Sequence, residues 1–188
     1  RLLRPDHPTL ALSLRYLAAT IEELGDMDRS IALKQQALAI AERNFGVNHH
    51  ETAPYLHALG VAEYRKAAYA TARQRFQRAL DIQEARYGPW HEYNAVTLSM
   101  MARAEASLGD YPAAKREQSR VVAIRERISP NHPFVAIALT DLANTYREEG
   151  FPDQALPLLE RALAIREKNL GPDHREVDKT LVEMAGAV

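Results

Sequence analysis

One histidine returns along this chain at nearly fixed spacing, and no other feature constrains the fold as strongly. His7, His49, His91, His132 and His174 are separated by 42, 42, 41 and 42 residues. Self-similarity at such a period marks a repeat architecture, in which each unit is one supersecondary element and stacking neighbours bury a shared core. Eighteen residues after each of the first four histidines stands a small residue: Gly25, Ala67, Gly109 or Gly150. The units close at Gly46, Gly88, Ser129 and Gly171, and the single missing residue falls just before Ser129. The repeats therefore run over about 5–46, 47–88, 89–129 and 130–171. Residues 172–188 form a partial repeat or cap, and 1–188 is expected to be a single domain.

The pattern inside each unit is helical. In the fourth repeat Val135, Leu139, Leu142, Ala143 and Tyr146 recur at steps of three and four. Ala155, Leu159, Ala162, Leu163 and Ile165 do so after Gly150. Such spacing puts apolar side chains on one stripe of a helix, which must be buried. Glycine after a helix supplies the left-handed residue that closes it, and Gly171-Pro172 adds a residue that cannot continue it. The spacing predicts helices over 8–23, 28–45, 50–65, 69–87, 92–107, 111–127, 133–148 and 152–169, with a fifth first helix over 175–186. Pro157 is expected to disturb the helix that holds it. Ala18, Gly60, Ala102 and Ala143 share one repeat position, and Ala37, Ala79, Val121 and Ala162 another. Small side chains there let paired helices approach closely. The fold class is all-α: four helix pairs of 41–42 residues plus a C-terminal capping helix.

Composition narrows the function. A net charge of -1 gives no support for nucleic-acid binding, which calls for a basic excess. Phe134–Leu139, six residues, is among the longest apolar runs, far short of the ~18 that a membrane span needs. The absence of cysteine excludes disulfides, thiolate metal sites and a cysteine nucleophile. It is compatible with a cytoplasmic location. The chain starts at Arg1 rather than methionine and reads as a piece of a larger protein.

Arg161–His174 (RALAIREKNLGPDH), Arg78–Glu84 (RALDIQE) and Gln36–Glu42 (QALAIAE) resemble the tetratricopeptide repeats of the kinesin light chain family. The resemblance covers essentially the whole chain. It implies a right-handed superhelical solenoid whose first helices line a concave groove that holds an extended peptide or partner segment. Where that family commonly carries asparagines that bond a peptide backbone, this chain has Arg15-Tyr16, His57-Ala58, Ser99-Met100, Thr140-Asp141 and Val182-Glu183. The resemblance therefore does not extend to backbone clamping.

Alignment of the repeats puts Arg15, His57, Val61, Tyr64, Arg65, Ser99, Arg103, Thr140, Asn144 and Arg147 on the groove side, with Ala19 and Glu22 beside them. The arginines point to a protein or peptide partner with an acidic or phosphorylated segment, because the planar guanidinium matches carboxylate and phosphate. Tyr64 offers apolar area and a hydroxyl. Self-association through open ends is compatible with such a fold. The recurring histidines lie one per repeat, too far apart to share a metal, and are expected to shape the turn into each first helix. His57 has no nucleophile or orienting carboxylate at a telling spacing. Trp90 is expected to pack in its loop. No phosphate-cradling loop is present, and neither an enzyme nor a cofactor is expected. The favoured reading is a protein–protein interaction module; the alternative is an internal arm regulating an adjacent catalytic or NTPase domain.

Overall fold

The recurring histidine starts the helices. An α-helix leaves its first N–H groups without partners, and here an imidazole supplies one. Nδ1 of His7, His132 and His174 accepts from Thr9, Phe134 and Glu176 N–H at 3.2 Å each. His91 does the same for Tyr93 at 3.2 Å, and His49 for Glu51 at 3.3 Å. The expected part of these residues in the turns is thus a specific side-chain cap.

The computed structural model describes residues 7–186. In order come α1 (Pro8–Glu23), α2 (Met27–Phe45), a 3-10 turn (His50–Thr52), α3 (Ala53–Arg65), α4 (Tyr69–Tyr87), α5 (Glu92–Ser107), α6 (Tyr111–Ile128), α7 (Pro133–Glu149), α8 (Pro152–Leu170) and α9 (Arg175–Ala185). No strand occurs among the described residues. Two details depart from the expected limits. The helix expected from residue 50 begins as the 3-10 turn and becomes α-helical at Ala53, next to Pro54, which fits only a first turn. α8 runs through Pro157 without a break: near the start of a helix, the missing N–H removes a single bond.

The closing glycines adopt positive φ, as at Gly88 (83°) and Gly171 (86°). Ser129 is different. The third repeat is one residue short, and Ser129 ends α6 in extended backbone, φ -161° and ψ 106°. At two of the turns a buried side chain ties the closure. Thr52 Oγ1 donates to Gly46 O at 2.8 Å, and Asn94 Nδ2 to Gly88 O at 2.8 Å.

The chain divides between Ala104 and Glu105, within α5, into two compact units. In the first, the core joins Ala11, Ala37, Leu38, Ile40, Leu56, Leu59, Ala79 and Ile82. In the second, Ala143, Ala155 and Leu159 pack with Tyr146, Leu158 and Met184. All eight small residues singled out from the repeat are buried. The motif arginines have a role of their own. Arg78 of α4 pairs with Glu42 of α2 at 2.6 Å and donates to Val47 O at 2.7 Å. Arg161 of α8 pairs in the same way with Glu126 of α6. These contacts join successive second helices.

Candidate functional site: an apolar cleft in the first unit

Side chains of α1, α3, α4 and α5, with Lys34 of α2 and His50 of the 3-10 turn, line an open cleft of about 640 Å³ in the first unit. α3 supplies Pro54, His57, Ala58, Val61 and Arg65; α1 supplies Arg15, Tyr16, Ala19 and Glu22; Tyr93, Val96 and Thr97 come from α5, Gln83 and Tyr87 from α4. The helical period makes this set. Positions 54, 57, 58, 61 and 65 lie on one face of α3, while Leu56, Leu59, Gly60 and Ala62 are buried. A concave, mainly apolar site with few polar groups is the usual form of a binding pocket.

Its charges are largely committed. The Glu22 carboxylate accepts from Lys34 and Arg65 and, at 3.3 Å, from Ser30 Oγ. Burial pushes this carboxyl up, but the Lys34 and Arg65 cations outweigh it and hold Glu22 below the usual range. Arg15 lies over the rings of Tyr16 and Tyr55, 5.6 and 5.3 Å from their centroids, a cation–π arrangement. Burial raises the Tyr55 hydroxyl pKa, offset in part by Arg15. His57 is half-buried, its ring 5.5 Å from that of Phe76 and its Nδ1 3.4 Å from Thr97 Oγ1. Desolvation lowers its pKa, so the ring is a neutral member of the wall. Thr97 is 1% exposed and presents no hydroxyl to an incoming molecule. Gln83 Oε1 is buried without a hydrogen-bond partner.

Arg15, His57, Val61 and Arg65 thus come together in the cleft, with Ala19 and Glu22. Tyr64 is placed elsewhere, 5.3 Å from the Tyr69 ring and beneath the Arg103 guanidinium at 5.6 Å. Ser99 Oγ donates to Ala95 O at 2.8 Å within its own helix. In the second unit Arg147 donates to Asn144 Oδ1 and Gly186 O, both at 3.4 Å. Thr140 there is 8% exposed. The sequence reading missed Tyr16, Tyr87, Tyr93, Val96 and Gln83. One signal was available: an aromatic residue follows the capping histidine by two places at Tyr93 and Phe134. Trp90, expected to pack in its loop, is 51% exposed.

Helix pairs repeating every 41–42 residues and an open cleft floored by a first helix define a helical-repeat protein. The tetratricopeptide repeat profile matches residues 9–85, 57–127, 93–168 and 134–187, and the chain belongs to that family. It is 26% identical over 182 residues to Protein KINESIN LIGHT CHAIN-RELATED 1 of Arabidopsis thaliana, covering 96% of this chain and 30% of that protein. It is 27% identical over 183 residues to a clustered mitochondria protein homolog of Aedes aegypti, covering 93% of this chain and 12% of that one. The chain thus spans less than a third of the length of either relative. Among solved structures it matches TPR-like repeats attributed to a kinesin light chain of Podosopora anserina, with TM-score 0.86 and 25% identity over 96% of this chain and 86% of that one. It also shares its fold with BtubC of P. vanneervenii, at TM-score 0.83 and 18% identity over 96% and 72% of the two chains. The repeats are of the kinesin light chain-like kind. Repeats of this family generally mediate protein–protein interactions and are typically non-catalytic. Among the described residues no helix is long and apolar enough to cross a membrane.

Proposed function

We propose that this chain is a protein-interaction module and that the cleft of its first unit holds an extended segment of a partner protein. The cleft itself carries the reading: about 640 Å³ of open, mainly apolar space on the exposed side of α3. Exposed apolar surface of this kind marks interaction sites. Ala58, Val61 and Val96 call for apolar side chains on the partner. Glu22 already engages Lys34 and Arg65, which leaves Arg15 as the cation for a partner carboxylate or phosphate. The segment is therefore mainly apolar with one acidic group, rather than acidic throughout. Ser99, Arg103, Thr140, Asn144 and Arg147 belong to this reading only as secondary contacts.

The test is capture of host proteins on the immobilised chain, with Val61→Arg and Arg103→Glu/Arg147→Glu run in parallel. A protein kept by the natural chain and lost with Val61→Arg supports cleft binding. Loss with the arginine pair alone moves the contact away from the cleft, and equal capture by all three chains rejects the reading.

A further inference from the structure

Among the described residues, Gln83 of α4 is the only side-chain amide in the wall of the cleft, and it makes no hydrogen bond. Ala79, one turn earlier on the same face, is fully buried, so the core holds this stretch of α4 and Gln83 stands on a fixed wall. Its Oε1 is buried without a donor. Buried acceptors seldom lack one, because burial forfeits the bond to water. An occupant that brings a donor restores that bond. The last torsion of a glutamine side chain is broad, so the oxygen can turn toward the open side of the cleft within its rotamer.

The other polar groups of the wall are spent or wet. Glu22, Lys34 and Arg65 hold one another. Thr97 Oγ1 and His57 Nδ1 lie 3.4 Å apart, and His50 stands 3.7 Å from the Glu51 carboxylate. Glu23 and the rings of Tyr16, Tyr87 and Tyr93 are exposed, so water serves their oxygens; the tyrosine hydroxyls both donate and accept. None of these groups requires a particular partner from an occupant. Gln83 Oε1 requires a donor.

We infer that Gln83 accepts a backbone N–H of the partner segment through Oε1, and that the occupant is therefore an extended chain rather than a helix; this rests on the cleft reading above. An extended chain carries a free N–H at every residue but proline, whereas an α-helix spends its own on internal carbonyls beyond the first turn. Ala58, Val61 and Val96 meet apolar side chains and have no side-chain group to bond a backbone. A single amide thus fixes the register of the segment along an otherwise apolar wall.

The probes are five acetylated pentapeptide amides of alternating valine and leucine, each with one aspartate at a different position. Each is also made with a single N-methyl group on every backbone nitrogen in turn. Calorimetric titration gives saturable binding of at least one parent peptide. N-methylation of one particular nitrogen weakens it about 3–10-fold, the effect of losing one hydrogen bond. Gln83→Met removes the acceptor at similar length and weakens the parent peptide to the same degree. The N-methyl group then costs nothing further, the non-additivity of a direct contact. Gln83→Glu keeps an oxygen in place and retains the N-methyl effect. Val61→Arg abolishes binding of every peptide. Binding of none of the five, or binding indifferent to Val61→Arg, overturns the cleft reading and this inference together. Binding blocked by Val61→Arg but indifferent to N-methylation at every position leaves the cleft standing and overturns the role of Gln83. So does an N-methyl effect that persists undiminished in Gln83→Met.

Discussion

Gly60 of α3 lies against the ring of Phe76 of α4: a β-carbon built on Gly60 would stand 2.8 Å from Phe76 Cε1. Phe76 is fully buried and cannot swing away. The other repeats hold alanine where Gly60 stands, and Ala143 packs with the smaller Leu159 of α8. The glycine is therefore the complement of one phenylalanine. Gly60→Ala gains up to ~1 kcal/mol of helix propensity but overpacks the pair at a cost of ~1–3 kcal/mol. The variant is expected to unfold at lower urea than the natural chain. Adding Phe76→Leu should recover part of the loss, a non-additivity that marks direct contact. A Gly60→Ala chain more stable than the natural one would refute the account.

Ala67 follows the C-cap of α3 with φ 60°, and among the described residues it is the only non-glycine with positive φ. Gly25, Gly109 and Gly150 fill the same repeat position at 87°, 80° and 95°. An L-residue pays ~1–2 kcal/mol for that conformation, whereas glycine adds unfolded-state entropy worth ~0.4–1 kcal/mol. Ala67→Gly should therefore stabilise the chain by about 0.5–1 kcal/mol. Calorimetry should show a Tm higher by ~1–4 °C for a chain of this size. An unchanged or lower Tm would mean that the Ala67 backbone is not strained.

These two positions show how far the sequence could be read. The 41–42-residue recurrence located the helices because small residues and glycines fall at fixed places in every unit; Ala67 read there as one more small residue, and its positive φ emerged only from the structure. The partnership of Gly60 with Phe76 was not legible, because it depends on which large residue lies across the helix pair. The cleft was read in part. Arg15, His57, Val61 and Arg65 follow from the face of their helices, but the Lys34–Glu22–Arg65 arrangement joins three helices and leaves no spacing signal. Tyr64 was assigned to the groove from its helix position alone, and its contacts with Tyr69 and Arg103 arise from neighbouring helices.

The histidine caps can be tested at His132, where Nδ1 accepts from Phe134 N–H and the two rings lie 4.8 Å apart. His132→Ala removes both contacts and should cost ~1 kcal/mol, the usual value of a lost N-cap. His132→Asp keeps an acceptor and adds a negative charge at the start of α7, which the helix dipole favours by ~0.3–1 kcal/mol. Urea titrations should rank natural chain and His132→Asp together, with His132→Ala below both. Equal stability of the alanine variant would show that the imidazole bond contributes nothing.

His57 gives a pH signature of its own. Desolvation holds its pKa in the folded chain below the ordinary 6.5, so the unfolded chain binds the extra proton first. Stability from this group is complete above 6.5 and falls as pH drops below it toward the folded value. His57→Leu keeps an apolar group against Phe76 and removes the titration. The difference in unfolding free energy between the two chains should then change steadily from pH 7.5 to pH 5, in favour of the variant (about two units around the reference value). A difference independent of pH would show that His57 titrates alike in both states.

Glu22 carries the last expectation, through the asymmetry of its two partners. Lys34 is 6% exposed, whereas the Arg65 side chain is 60% exposed. Glu22→Gln leaves the buried Lys34 ammonium without its anion and should cost ~3–5 kcal/mol, as for a broken buried pair. Arg65→Met removes a solvated partner and should cost under ~1 kcal/mol. The two cations hold the Glu22 carboxyl below its ordinary 4.5 in spite of burial. Its contribution is therefore full above 4.5 and is lost as pH falls through the lower folded value. Chemical unfolding of the three chains, repeated at acid pH, checks both points. The gap between the natural chain and Glu22→Gln should narrow on acidification, since protonation of Glu22 then produces the neutral group that glutamine already supplies. A gap that stays constant into strong acid would mean that the carboxylate charge is not what holds Lys34 in place.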